Sequence, residues 1–350
     1  MSDILRIGMI APLTERIPPH TYGGTERVVS WLTEYLVDKG HSVTLFASGD
    51  SITKARLVAG SEKALRLSEG ENDSFILHLQ MLSEIFREYE DCFDIIHSHI
   101  DYMAFPFLLR EKTPSLVTMH GRLDYKEYTN FINYYNKINY VSISDYQRRP
   151  VPNVNWAGTV YHGMPKDLLL FTNNPEDYFL FLGRITKEKR PDIAINIAKR
   201  LGIKLKIAAK VDKVDVEYFE KEILPLMDSP FVEYVGEVND QQKESLLNGA
   251  IALLNTIDWP EPFGLVMIEA LACGTPVITK RFGSTPEIIE HGNTGFICDT
   301  EYDFITAIKN IEKIDRKNCR KSFKTRFTSN IMTEKYLSLY RSLIERNPSL

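Results

Sequence analysis

Glu261 and Glu269 stand eight positions apart in the stretch PEPFGLVMIEALACGTPVIT, which runs from Pro260 to Thr279. The first glutamate lies in a loop marked by proline and glycine, and the second falls inside an apolar run. If a helix begins near Phe263 or Gly264, its free N–H groups and positive dipole end can receive a phosphate. Glu261, just before that helix, is placed to accept hydrogen bonds from hydroxyls. Glu269, about a turn and a half into it, reaches the same ligand from one side. A site that takes an anion and a polyol together describes a sugar nucleotide.

A second group of residues suits the same ligand. In FLGRITKEKRPD a strand ends at Gly183 and is followed by Arg184, Lys187 and Lys189. A guanidinium and an ammonium at the carboxyl end of a strand, close to a helix start, suit two adjoining phosphates, Arg as a fork and Lys as a point charge. No D-x-D pair occurs to hold a divalent ion against a diphosphate, so the basic pair has to supply that neutralisation itself. The bland reading is a solvated loop.

Gly23 and Gly24 lie between a first strand and a helix at Glu26, where small residues allow close backbone approach and the helix N-terminus favours an anion. Glycine pairs in loops are usually only turns, and the G-x-G-x-x-G dinucleotide fingerprint is missing. His97 and His99 end the strand FDIIHSH, and His120 with Gly121 ends SLVTMH. A lone strand-end histidine is usually a hydrogen-bonded structural residue. His120 stands out because the chain must turn away directly after it. His97 and His99, two apart, share one face of a strand, and no third ligand for a metal is recognisable.

These residues need elements that bring them to one edge. The chain alternates short runs rich in β-branched residues with longer amphipathic stretches, the pattern of parallel α/β sheets. In the first half ILRIGMIA, SVTLFA, FDIIHSH, SLVTMH and INYVSIS read as strands, with a helix from Glu26 to Lys39 closed by Gly40. In the second half YFLFLG, KLKIAA, FVEYVG, AIALLN, PVIT and GFICD read as strands, with helices at 190–201, 216–227 and 241–248. The fold class is α/β, two doubly wound Rossmann-like sheets facing across a cleft. In open sheets of this kind ligands bind beyond the carboxyl ends of the strands. The expected organisation is a first domain over 1–165, a linker near 166–175, a second domain over 176–329 and a C-terminal helix over 330–350. That helix carries Tyr336, Leu339, Tyr340 and Leu343 on one face, which must dock on an apolar surface.

The 350 residues suit two domains, and 43% hydrophobic with 25% charged residues suit a soluble globular protein. No run approaches the ~20 apolar residues of a membrane span, and Met1 to Ala11 lacks the pattern of a signal peptide, so the expected location is cytoplasmic. A net charge of −5 removes a global electrostatic case for nucleic-acid binding. One basic stretch, 309–326, with Lys313, Arg316, Lys317, Arg320, Lys321 and Lys324, could hold the chain against the inner face of a membrane, although such a run is usually a solvated helix face. Cys92, Cys273, Cys298 and Cys319 are far apart and form no Cys-x-x-Cys pair, which reads as buried free thiols.

PEPFGLVMIEALACGTPVI resembles the E-x7-E motif of retaining nucleotide-sugar glycosyltransferases of family 4, which have the GT-B architecture. The resemblance covers nearly the whole chain, and it implies that 1–165 is the acceptor-side domain, with Glu26 and His99 as the acceptor-side candidates, that 176–329 is the nucleotide-sugar-binding domain, and that the helix over 330–350 crosses back onto the first domain. IAPLTERIPPHTYGGTERVVSWLTEYLVDKGHSVTLFASGDS is similar to that family's N-terminal glycine loop and first helix, VTMHG to its sugar-contacting histidine segment, and LGRITKEKRPD to its G-R-x-x-x-E-K-G phosphate segment. Arg190 departs from it, standing where the family usually has glycine.

The resemblance implies roles for individual residues. Gly24 lies against the donor diphosphate, His120 hydrogen-bonds the transferred sugar, and Arg184 and Lys189 neutralise the phosphates. Glu261 contacts sugar hydroxyls, the backbone of Phe263, Gly264, Leu265 and Val266 cradles sugar and phosphate, and Glu269 holds the ribose. Val235, Gly236 and Glu237 flank the base. The implied reaction is metal-independent transfer of a hexosyl group, without a cofactor, from a UDP-sugar such as UDP-glucose, or from GDP-mannose, to a hydroxyl of a sugar, lipid-linked or small-molecule acceptor. The anomeric configuration is retained without Glu261 acting as a nucleophile. The rivals are a nucleotide-sugar 2-epimerase or glycosyl phosphorylase of the same fold, and a two-domain binding protein without chemistry.

Overall fold

Short β-branched runs separated by amphipathic stretches build two all-parallel sheets, one in each of two compact units. In the computed structural model, which describes residues 4–20, 23–67, 73–89 and 91–346, the first unit comprises Met1–Pro165 with Thr328–Leu350 and the second Lys166–Phe327.

The first sheet holds β1 (Arg6–Ile10), β2 (Ser42–Ser48), β3 (Arg56–Ser61), β4 (Ile95–Ser98), β5 (Ser115–Thr118), β6 (Tyr140–Ser142) and β7 (Trp156–Thr159), in the order β3-β2-β1-β4-β5-β6-β7. Ile7 on β1 sits opposite Val43 and Ile95, so the central strand is packed by apolar neighbours on both sides. The direction of winding reverses between β1 and β4, which makes their carboxyl ends the switch point of this sheet. The sequence reading lacks β3 and β7. Both are edge strands whose side chains are half-exposed or exposed, so neither needs the continuous apolar run that marks a buried strand.

The second sheet holds β8 (Phe179–Arg184), β9 (Leu205–Lys210), β10 (Val232–Gly236), β11 (Leu253–Asn255), β12 (Val277–Lys280) and β13 (Gly295–Cys298), ordered β10-β9-β8-β11-β12-β13. All six strands expected from the sequence are present, and the switch point lies between β8 and β11. The helix expected over 216–227 is instead a series of short turns, Val216–Tyr218, Phe219–Ile223 and Leu224–Met227. Pro225 has no amide proton to continue an α-helical ladder.

Residues 166–175, expected as linker, are strapped to the second unit. Arg320 donates to the carbonyls of Lys166 at 2.8 Å and Leu169 at 2.9 Å, and Arg316 donates to that of Thr172 at 3.0 Å. The C-terminal helix Ser329–Arg346 belongs to the first unit, where the Ser329 amide donates to the Met164 carbonyl at 2.9 Å. Tyr336, Tyr340 and Leu343 of its apolar face are buried. The last four residues of the expected helix, 347–350, lie outside the described residues. Cys273, Cys298 and Cys319 are buried free thiols, whereas Cys92, expected among them, is exposed.

Candidate active site

In the second unit the charged residues singled out from the sequence collect at the switch point. β8 ends at Arg184 and leads through Lys189 into the helix Pro191–Leu201; β11 ends at Asn255 and leads through Glu261 into the helix Leu265–Cys273. Lys189 Nζ donates to Glu261 Oε2, and Trp259 Nε1 donates to the same oxygen at 3.1 Å. Lys189 Nζ also stands 5.0 Å from the centre of the Trp259 ring, a cation–π distance. One carboxylate therefore gathers an ammonium and an indole, and both charged side chains are largely buried.

Backbone geometry holds Glu261 in place. Gly264 caps the following helix in the left-handed region, φ 85°, and a Cβ there would come 2.7 Å from Met267 Cε. Gly283, φ 58°, packs so closely that a Cβ would overlap the backbone of Glu261, and the Ser284 amide donates to the Glu261 carbonyl at 2.9 Å. Ser284 Oγ donates to the Phe263 carbonyl at 2.7 Å. The loop before the helix is thus fixed from a second loop, after β12. Leu265 and Val266 form the first turn, whose amides have no carbonyl four residues earlier within the helix.

Glu269 is buried inside the same helix and paired with Lys243 at 2.5 Å; Lys243 also reaches Asp240 at 3.2 Å. Lys243 comes from a separate helix, Asp240–Gly249, and no spacing in the sequence points to it. Arg184 pairs with Asp212 at 3.4 Å, and Lys210 reaches the other oxygen of that carboxylate at 3.0 Å. These two cations hold the Asp212 carboxyl below its usual range against the opposing effect of burial.

Arg190 keeps the turn that glycine would make. It lies at φ 52°, ψ 53°, in the left-handed region that side-chain-bearing residues seldom adopt. Its guanidinium is tied to Asp192 at 2.8 Å and Asp258 at 3.2 Å, and Thr256 Oγ1 donates to the Lys189 and Arg190 carbonyls at 3.2 and 2.7 Å. Ion pairs and a carbonyl clamp offset the conformational cost.

Val235 and Gly236 end β10 and Glu237 follows it, two strands from β8, hence ~10 Å across the sheet at the usual interstrand spacing. Val235 and Glu237 are exposed and Gly236 adopts φ 85°. A recess of about 660 Å³ opens beside Arg184, lined also by Lys187, Glu188, Asp215 and Tyr218; Lys189, Glu261 and Glu269 are not on its wall.

In the first unit the switch point carries the histidines. His99 Nδ1 and His120 Nε2 are 2.8 Å apart, and His99 Nε2 lies 3.2 Å from Met9 Sδ. His97 is not part of that line: its ring nitrogens meet Tyr340 Oη and Thr118 Oγ1, each at 2.7 Å, and Thr118 Oγ1 meets Tyr336 Oη at 2.8 Å. His97 thereby anchors the C-terminal helix to β4 and β5. Burial pushes His97 and His99 well below the ordinary histidine range and His120 down to about 3, so all three are neutral near pH 7. The His120 amide bonds to Asp101, whose carboxyl is pushed up to about 6 by burial.

Gly23, at φ 153°, precedes the helix Gly24–Asp38, and a Cβ on it would meet Pro19 at 2.9 Å and Glu26 Oε2 at 3.0 Å. Glu26, in the first turn, is buried, and desolvation raises its carboxyl above the usual range. Among the described residues no cluster of three or more His, Cys, Asp or Glu side chains is placed to hold a metal ion.

The basic stretch 309–326 divides into two sets. The buried Arg316 donates to the carbonyls of Ala250 at 2.7 Å and Asn248 at 3.0 Å as well as to that of Thr172; Arg320 and Arg326 also bond backbone carbonyls. These arginines are structural, and Lys309, Lys313, Lys317, Lys321 and Lys324 remain exposed.

Two parallel sheets, each with its polar side chains at the switch point, define a two-domain Rossmann-like protein of the GT-B type. Residues 22–155 match Glycosyltransferase Family 4 and residues 170–327 match Glycosyl transferases group 1; the chain belongs to the family 4-type glycosyltransferases. An uncharacterized glycosyltransferase of Methanocaldococcus jannaschii is 24% identical over 331 residues, 82% of this chain and 84% of that protein. The chain spans less than half the length of several other curated relatives that it matches. Among solved structures, the sucrose-phosphate synthase of Thermosynechococcus elongatus aligns with a TM-score of 0.82 at 17% identity, over 97% of this chain and 99% of that one. Anabaena HepE in complex with UDP-glucose aligns with a TM-score of 0.75 at 15% identity, over 97% and 100%. Likenesses at these identities establish the shared fold.

Proposed function

We propose that the protein is a retaining, metal-independent hexosyltransferase that moves a hexosyl group from a nucleotide sugar to a hydroxyl acceptor. The observation that carries this reading is the Lys189–Glu261–Trp259 cluster immediately before the helix Leu265–Cys273, at the switch point of the second sheet. An ammonium and open helix amides suit a diphosphate, and a carboxylate beside them suits sugar hydroxyls. Departure of the diphosphate is assisted by Lys189, Arg184 and those amides, which oppose the charge that grows on the leaving oxygens. Glu261 orients the sugar, Glu269 holds the ribose, and His120 is the sugar-contacting residue of the first unit. As the bond from the anomeric carbon to the diphosphate oxygen breaks, the acceptor hydroxyl attacks from the face that the diphosphate leaves and gives its proton to the departing diphosphate, with retention at the anomeric carbon. A UDP-sugar is the favoured donor, supported by the complex of HepE with UDP-glucose.

Incubating the pure protein with a panel of UDP- and GDP-sugars, with and without chelator, tests the reading. One donor is expected to be hydrolysed slowly without acceptor, at the same rate in chelator. Magnesium-reversible loss of that activity sinks the metal independence, and failure to bind or cleave any donor sinks the transferase. A 2-epimer as product, or a sugar phosphate formed only with free phosphate, identifies a rival chemistry of the same fold. The exposed lysines between 309 and 324 support contact with anionic lipid, which co-sedimentation with vesicles of acidic and of neutral phospholipid tests.

A further inference from the structure

At the carboxyl ends of β1, β4 and β5 three side chains form a line from the interior outward: Met9, His99, His120. Met9 and His99 are buried, and His120 is half-buried. The contacts are Met9 Sδ to His99 Nε2 at 3.2 Å and His99 Nδ1 to His120 Nε2 at 2.8 Å. Burial keeps both rings neutral, so each carries one N–H, and two arrangements of the protons are possible.

A thioether sulfur accepts a weak hydrogen bond and has no proton to give. If His99 carried its proton on Nδ1, the bare Nε2 would point its lone pair at the sulfur, and a buried polar atom would lack a partner. With the proton on Nε2, His99 donates to Met9, and its Nδ1 must then accept from His120. His120 is left protonated on Nε2 with Nδ1 bare, and that nitrogen bonds to no described residue. His162, stacked on His120 with ring centroids 5.1 Å apart and planes at 21°, keeps the ring in this plane.

We propose that Met9 and His99 are positioning residues that lock His120 in its Nε2–H tautomer, so that His120 Nδ1 presents a hydrogen-bond acceptor to a hydroxyl of the bound sugar. The proposal rests on the reading of His120 as the sugar-contacting residue. The site then selects a ligand group that can donate: a fluoro or methoxy sugar at that position loses the bond, whereas a hydroxyl keeps it.

The test reads the tautomer without ligand. In protein labelled with nitrogen-15 at histidine, two-bond proton–nitrogen correlations at about pH 7 are expected to show His120 protonated at Nε2 and bare at Nδ1. Met9→Leu, which conserves volume and removes the only acceptor for His99 Nε2–H in the line, is expected to leave His120 in a mixture of tautomers and to lower donor turnover roughly tenfold, about the worth of one hydrogen bond. His99→Ala is expected to do the same. An Nδ1–H tautomer of His120 in the wild-type protein overturns the proposal, as does an unchanged Nε2–H tautomer in Met9→Leu. The wild-type tautomer as expected in a protein that cleaves no donor overturns the glycosyltransferase reading and leaves the proton assignment standing.

Discussion

Lys189 Nζ and Trp259 Nε1 converge on a single oxygen of Glu261, so the residue that would neutralise phosphate and the residue that would hold the sugar are one hydrogen-bonded unit. Lys189→Ala leaves a largely buried carboxylate with an indole as its remaining partner in this cluster, and Glu261→Ala leaves the ammonium without its carboxylate. Each is expected to lower donor turnover ~10²-fold or more. In a double-mutant cycle the combined variant should lose less than the sum of the two, since coupled residues are not additive. Losses that add within ~0.5 kcal/mol would show that the pair does not act as a unit.

Glu269 and Lys243 form the second buried ion pair, one turn and a half along the helix from Gly264. Glu269→Ala is expected to weaken the bare nucleoside diphosphate roughly tenfold, the scale of one charged hydrogen bond. Glu261→Ala should change that affinity little, because the ligand lacks the sugar. Calorimetric titration of both variants decides: unchanged affinity in Glu269→Ala would leave the pair a structural role only.

Arg190 provides a test of conformation alone. Arg190→Ala keeps the left-handed strain and loses the pairs to Asp192 and Asp258, so stability should fall by ~1–2 kcal/mol. Arg190→Gly loses the same pairs but relieves the strain, and should unfold at a higher denaturant concentration than Arg190→Ala. The opposite order of midpoints in urea would contradict the account of this turn.

The histidine cluster sets a pH dependence of stability. His97, His99 and His162 lie well below their ordinary range and His120 at about 3, all through burial. Unfolded histidines titrate near 6.5, so below that pH the unfolded chain binds more protons than the folded one and stability falls. The loss is absent above ~6.5 and continues as pH falls toward the folded values, on the order of 1.4 kcal/mol per pH unit for each histidine. Asp101, raised from 3.8 to about 6, opposes this between those two values, because there the folded state holds the extra proton. Urea midpoints should therefore drop between about pH 7 and pH 5. His120→Gln should flatten that drop, and an unchanged slope would remove His120 as a contributor.

Much of the fold was legible because its signals are local. Most buried parallel strands are continuous apolar runs, and eleven of the thirteen described strands were readable, β10 among them through its valines and tyrosine although it is largely exposed; the half-exposed β3 and β7 carry no such run. The helix beginning after Gly264, the strand end at Arg184 and the histidines at the ends of β4 and β5 follow from residue type and spacing along one segment. What the sequence could not determine is the set of partners brought from distant segments. Lys243 reaches Glu269 across 26 positions, Gly283 packs on Glu261 across a sheet connection, and Met9 meets His99 across 90. The role of Arg190 needed the same information, since only folding shows that Asp258 and Thr256 hold a left-handed turn without glycine. Hydrogen bonds and ion pairs depend on positions in space to within a fraction of an ångström, and periodicity along a chain records only which face a residue occupies. The sequence by itself determined the two doubly wound sheets and the strand ends where polar residues gather; the tertiary structure decided which of those residues are bonded to one another and in which order.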